Sequence, residues 1–187
     1  MTSSWRELSK KVGEASRPYR YYVRLVLTRI DDRLLHAQVA VGWVGALSPD
    51  VVVVADDVAA STPGLAQLLG MGLPSNVELV VAGVSDAVCI LKGRSSDKKK
   101  CILLVRNPLG ALQILEAGIP VGCINVGGMH FSEGKTKLLP YVFVDRRDSE
   151  ILRELVARNV KLVAQDVPGN PSYDVVKLLG KGKLEEN

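Results

Sequence analysis

Short β-branched runs alternate with helix-length patterns along almost the whole chain, and that alternation decides the fold class. The runs are Tyr22–Leu27, Val51–Val54, Val77–Val81, Cys101–Val105, Gly122–Asn125, Tyr141–Val144 and Lys161–Ala164. Helical patterns cover His36–Leu47, Pro63–Met71, Ser85–Lys92, Pro108–Ala117, Asp148–Asn159 and Pro171–Leu179. The strand candidates are near-continuous apolar runs, as in strands covered on both sides. The pattern predicts βαβ units: an α/β fold with an open, mostly parallel sheet of about six or seven strands and helices on both faces. Crossovers should be right-handed. Ser61 or Thr62 can cap the helix opening at Pro63, and Asn107 the one opening at Pro108, which Gly118 stops. The segment Tyr141–Val144 follows the preceding strand with no obvious helix between them, so an antiparallel or edge strand can enter there.

The 187 residues fit one domain over 21–187, preceded by a polar extension, Met1–Arg20, read as flexible or weakly helical. With 47% hydrophobic and 24% charged residues the chain can bury a real core, and no apolar run approaches the roughly 20 residues of a membrane span. The net charge of +4 is not gathered into a basic stripe with interleaved aromatics, which argues against a nucleic-acid partner. Lys98–Lys100 reads as a solvated loop before a strand. Cys89, Cys101 and Cys123 have no CxxC spacing, and all lie in apolar segments. They read as reduced, buried thiols of a cytoplasmic protein, without a metal or redox role.

Chemistry concentrates in Thr28-Arg-Ile-Asp-Asp-Arg-Leu-Leu-His36-Ala-Gln-Val39, where a strand hands over to a helix. In an open parallel sheet ligands bind outside the carboxyl ends of the strands. A helix start there presents unpaired N–H groups to an anion. Neutral imidazole is a nucleophile, and guanidinium groups bind phosphoryl oxygens in a fork. His36 flanked by Arg29 and Arg33 therefore reads as a phosphoryl carrier. The plainer alternative is a structural histidine, with both arginines in surface ion pairs to Asp31 and Asp32, either of which could cap the helix.

Three other features lie near predicted strand ends. Asn125-Val-Gly-Gly-Met-His130 carries paired glycines, which permit positive φ and a close backbone approach to a ligand, or make an ordinary turn. His130 is a second candidate for chemistry, though a loop histidine beside glycines is more often a bystander. Asp56-Asp57 could hold a metal but suits a turn into a helix better. Gly134-Lys135-Thr136 lacks the upstream glycine of a nucleotide phosphate loop, and no dinucleotide GxGxxG is present.

Taken together, Arg29-Ile-Asp-Asp-Arg-Leu-Leu-His36-Ala-Gln-Val, Asp56-Asp57-Val-Ala, Asn125-Val-Gly-Gly-Met-His and Gly134-Lys135 resemble the IIB component of the mannose/fructose/sorbose family of the bacterial phosphoenolpyruvate-dependent sugar phosphotransferase system. The order and spacing match from about Tyr21 to the C-terminus. The resemblance implies a phosphocarrier whose His36, on an exposed loop, takes a phosphoryl group on Nδ1 from a IIA phosphoprotein. It then passes the group to a sugar held by the membrane components IIC and IID. Arg33 and Arg29 are read as its catalytic partners, disfavouring imidazolium and then stabilising the phosphoryl oxygens, and Asp32, Ala37, Gln38, Gly127 and Gly128 as residues that bind phosphate or shape the loop. Ala37 stands where many members carry glycine. No cofactor, metal or nucleotide is implied. A cytoplasmic location beside the membrane permease is implied, and a homodimer is left open. A regulatory phosphoprotein would need the same histidine.

Overall fold

A computed structural model of the chain describes residues 22–93 and 98–181, so the extension Met1–Arg20 lies outside the described residues. Its centre is a seven-stranded sheet of β1 (Tyr22–Asp31), β2 (Val51–Ala55), β3 (Glu78–Ala82), β4 (Lys98–Val105), β5 (Cys123–Gly128), β8 (Lys161–Ala164) and β9 (Tyr173–Asp174). The order across the sheet is β3-β2-β4-β1-β5-β8-β9. All pairings are parallel except that of β8 with the edge strand β9. A separate antiparallel pair, β6 (Thr136–Leu139) and β7 (Val142–Val144), lies between β5 and β8 in the chain.

After β1 the chain winds through α1 (Gln38–Trp43), a π-helix, directly into α2 (Val44–Leu47). Short helices α3 (Asp57–Ser61) and α4 (Leu65–Gly70) join β2 to β3. The remaining helices are α5 (Val84–Leu91), α6 (Pro108–Glu116), α7 (Arg146–Ala157) and α8 (Val175–Lys181). Alternate strand residues feed two cores. Val52, Val54, Ile102 and Leu104 pack with Val39, Trp43, Val44 and Ala59 from the α1–α3 side. Val51, Val53, Cys101, Leu103 and Val105 pack with Ala87, Ile114, Leu152 and Val175 from the α5–α8 side. The chain thus leaves β1 on one face but leaves β4 and β5, its neighbours, on the other. A crevice at such a divergence, at the carboxyl ends of the strands, is where α/β sheets bind ligands.

Local chemistry explains the ends of the elements. Asn107 caps α6 by accepting from the Gly110 N–H, Pro108 fits the first turn, and Gly118 takes φ +83° beyond the helix. Asp145 and Asp148 form a reciprocal capping box on α7.

The structure revises several sequence expectations. β1 runs on to Asp31 and β5 to Gly128, so Arg29, Asp31 and both glycines are strand residues. The segment Tyr141–Val144 supplies β7, Val142–Val144, the return strand of the β6–β7 hairpin. The helix expected from Pro63 is α4, which starts at Leu65 with Gly64, not Ser61 or Thr62, at its cap, and a further short helix, α3, capped by Asp56, precedes it. Lys98–Lys100 open β4, with Lys99 paired to Glu78 and the Lys100 N–H donating to Asp50, so they are no loop. Only Cys101 of the three cysteines is buried, and burial pushes its thiol up to about 12.

Candidate functional site

Pleating sets the site. Along β1, Leu27 packs toward the α1 side while Ile30 joins the opposite core, so Arg29 and Asp31 share Leu27's face. Both polar side chains are fully buried. The Arg29 Nε and Nη2 donate to Asp31 Oδ2 at 3.2 and 2.8 Å. Its Nη1 donates to Asn125 Oδ1 and to the Gln165 carbonyl. Asn125 stands opposite Arg29 in the β1–β5 register. The guanidinium also lies 5.6 Å from the Trp43 ring centroid, and Trp43 Nε1 donates to the Asp166 carbonyl. So α1, which follows the histidine, is fastened onto the same buried cation.

A bulge between Ile30 and Asp31 lets two residues of β5 oppose one step of β1. Neither Gly127 nor Gly128 has positive φ; what their glycines supply is space. A Cβ on Gly127 would overlap the Arg29 guanidinium, and one on Gly128 would stand 2.9 Å from Asp31 Oδ1.

Beyond β1 the chain turns through Asp32–Leu35. Leu34 adopts φ +59° while buried, a left-handed conformation that costs a non-glycine residue roughly 1–2 kcal/mol. The Arg33 N–H donates to Asp31 Oδ1, and its exposed guanidinium reaches Gln38 Oε1 at 2.7 Å. His36 follows, its Nε2 3.5 Å from Asp31 Oδ2 and its side chain 16% exposed. Both ring nitrogens are covered and lack a hydrogen-bond partner. The histidine is therefore tucked in, contrary to the exposed loop expected. Burial lowers its pKa from the ordinary 6.5; Asp31 opposes that shift and the Arg33 and Arg29 charges add to it. The ring is neutral at pH 7. In an NMR titration the His36 carbons should shift with a midpoint below 6.5. Stability should fall as pH drops through 6.5 toward that midpoint, since the unfolded chain takes up the proton first. A midpoint above 6.5 would contradict this environment.

The helix start differs from expectation too. Neither Asp31 nor Asp32 caps it; Ala37 holds the cap position, and the Val39 and Ala40 N–H groups both turn onto the His36 carbonyl. Those donors serve the turn instead of facing a ligand. Asp32 is held at the rim: its N–H donates to the Gly128 carbonyl, its own carbonyl accepts from Arg106 Nη1, and its carboxylate meets His130. Arg106, absent from the sequence reading, is itself fixed by a two-point bond to Asp56. Asp56 caps α3, and Asp57 accepts from the Val84 N–H, so both acids are structural.

The structure thus brings together His36, Arg33, Gln38, Asp32 and, beneath them, Arg29, Gly127 and Gly128. Ala37 is exposed beside His36. Arg29 departs from its expected place, since its side chain is fully buried and each of its three nitrogens donates to an internal acceptor. Asp31, the hub between Arg29, Arg33 and His36, is the residue the sequence reading undervalued. The signal was the period-2 run Leu27-Arg29-Asp31, hidden because its polar members broke the apolar strand pattern.

Comparison with known proteins agrees with this architecture. Residues 25–187 match the family described as PTS system sorbose subfamily IIB component. The chain is 35% identical over 155 residues to the N-acetylgalactosamine-specific phosphotransferase enzyme IIB component 2 of Escherichia coli K12, covering 83% of this chain and 98% of that one. It is 34% identical over 161 residues to the mannose-specific EIIAB component of the same strain, covering 86% of this chain and 50% of that protein. The solved IIB domain of the sorbose permease from Klebsiella pneumoniae superposes with a TM-score of 0.81 at 26% identity, over 86% of this chain and 99% of that one. No helix among the described residues is long and apolar enough to cross a membrane. The family match over most of the chain and these relatives agree: the chain belongs to the sorbose-subfamily IIB components of the sugar phosphotransferase system.

Proposed function

We infer that the chain is a phosphocarrier that uses His36. The observation that carries this reading is a neutral imidazole at the carboxyl end of β1, set between the buried carboxylate of Asp31 and the exposed guanidinium of Arg33. The donor is a phosphohistidine on a IIA protein; in the mannose relative the two components carry a joint name, EIIAB. The acceptor is a sugar bound by membrane IIC and IID partners, so the carrier works in the cytoplasm at the face of a permease. Relatives of comparable similarity are named for N-acetylgalactosamine and mannose, which fits a carrier that does not itself choose the sugar.

The chemistry follows from the placement. Asp31 on the Nε2 side favours the tautomer with hydrogen on Nε2, leaving the Nδ1 lone pair to attack phosphorus. A P–N bond to the donor breaks as one to His36 forms, so the step is nearly balanced, and the protein contributes position and charge. Arg33 is the flexible cation able to follow the phosphoryl oxygens, at the expense of its bond to Gln38. Arg29 acts from below, orienting Asp31 through its hydrogen bonds and adding a positive field that disfavours imidazolium.

Arg33→Ala should therefore slow transfer from phosphorylated IIA by about 100- to 1,000-fold, the usual loss for one electrostatic stabiliser. Arg33→Lys should recover only part of it, because lysine lacks the planar fork. Single-turnover kinetics measure this directly, and a wild-type rate in Arg33→Ala would reduce the arginine to a surface partner of Gln38.

A further inference from the structure

The conformation seen here is closed to the reaction. Attack on phosphorus needs the lone pair about 3–3.5 Å from the reacting atom. Both His36 nitrogens are instead covered. Something in the turn has to move, and most of the turn cannot. Asp31 is locked under Arg29, Leu34 and Leu35 are buried, and α1 is fastened through Trp43. Asp32 is the remaining lever. Its N–H is bound into the end of the sheet through Gly128, and its carbonyl is held by an arginine that Asp56 already fixes.

The third hold is different in kind. Asp32 Oδ2 accepts from the His130 N–H at 2.6 Å, and Asp32 Oδ1 lies 2.5 Å from His130 Nδ1, which must carry the proton for that bond to form. This pair lies at the surface, with His130 53% and Asp32 31% exposed. It joins the histidine turn to the segment after β5, which the β6–β7 hairpin steadies through the Met129–Tyr141 and Phe143–Met129 bonds. A side-chain contact at the surface is the one a docking protein can reach.

We propose that His130 is a positioning residue acting as a latch: through Asp32 it holds the turn closed over His36, and its release bares the nucleophile. The role rests on His36 being the phosphoryl acceptor. It also gives a use to the second of the chain's two histidines.

Diethyl pyrocarbonate tests this on the full chain without any phosphoryl donor, so a failure here leaves the assignment of His36 as acceptor untouched. The reagent acylates neutral, accessible imidazole nitrogens, and mass spectrometry resolves the two sites. In the wild-type protein His130 should react first and His36 only after a lag. Acylation at the outer Nε2 of His130 strips the proton from Nδ1 and turns its lone pair toward the Asp32 carboxylate. In His130→Ala the lag should vanish and His36 should react on the order of ten-fold faster. His130→Asn, whose amide N–H can replace Nδ1–H, should restore slow reaction. Immediate reaction of His36 in the wild-type chain would overturn the latch, needing no variant to fold. So would an unchanged His36 rate in a folded His130→Ala protein.

Discussion

His36→Ala should accept no phosphoryl group from phosphorylated IIA while folding as the wild type does. The expectation of normal folding has a physical basis. The imidazole makes no hydrogen bond in the resting structure, so its removal strands no partner. Asp31, 3.5 Å from the ring, keeps its bonds from Arg29 and the Arg33 N–H, so the deletion should cost little. Loss of chemistry should be complete, because among the described residues no other imidazole or thiol makes contact with Asp31 or Arg33. His130→Ala should still be labelled, since His130 braces the turn from the rim and is not the acceptor. Circular dichroism, melting and labelling with phosphoenolpyruvate as the ultimate donor check all three points. Labelling of folded His36→Ala would move the acceptor elsewhere.

Gly127→Ala should be among the most destabilising single-methyl additions in the protein. The added Cβ would occupy the space of the Arg29 guanidinium, which is fully buried and makes bonds to Asp31, Asn125 and Gln165. Yielding means moving a buried cation away from its carboxylate. Breaking such a pair costs about 3–5 kcal/mol. For a domain of this size that is a drop of roughly 10 °C in Tm. What survives folding should transfer slowly, because Asp31 loses the partner that aims it at His36. Gly122→Ala is the control: its Cβ would meet open space, so Tm should barely move. Equal melting of Gly127→Ala and wild type would mean that Arg29 is free to relocate.

The contrast between these glycines shows what the sequence disclosed and why the rest stayed hidden. Val51–Val54 and Cys101–Val105 announced central strands because burial on both faces leaves no polar residue to confuse the pattern. The position of His36 between strand and helix was legible for the same reason. Arg29 and Asp31 were misplaced because a buried ion pair looks in sequence like a polar turn; only the pairing of β1 with β5 supplies Asn125 and the two glycines that make room for it. Arg106 and the Asp32–His130 contact join segments tens of residues apart, and no local periodicity encodes them. The π-helical winding of Gln38–Trp43 also escaped, since its apolar residues fit an ordinary helix equally well; such windings recur at functional sites.

His36 is expected to carry the phosphoryl group on Nδ1. The wild-type chain, incubated with phosphoenolpyruvate, the general phosphotransferase components and a IIA protein, can be examined by 31P and 15N NMR and peptide mapping. One acid-labile phosphate is expected, on His36, with phosphorus bonded to Nδ1 and hydrogen kept on the Nε2 that faces Asp31. Phosphate on His130, or on the Nε2 of His36, would contradict it.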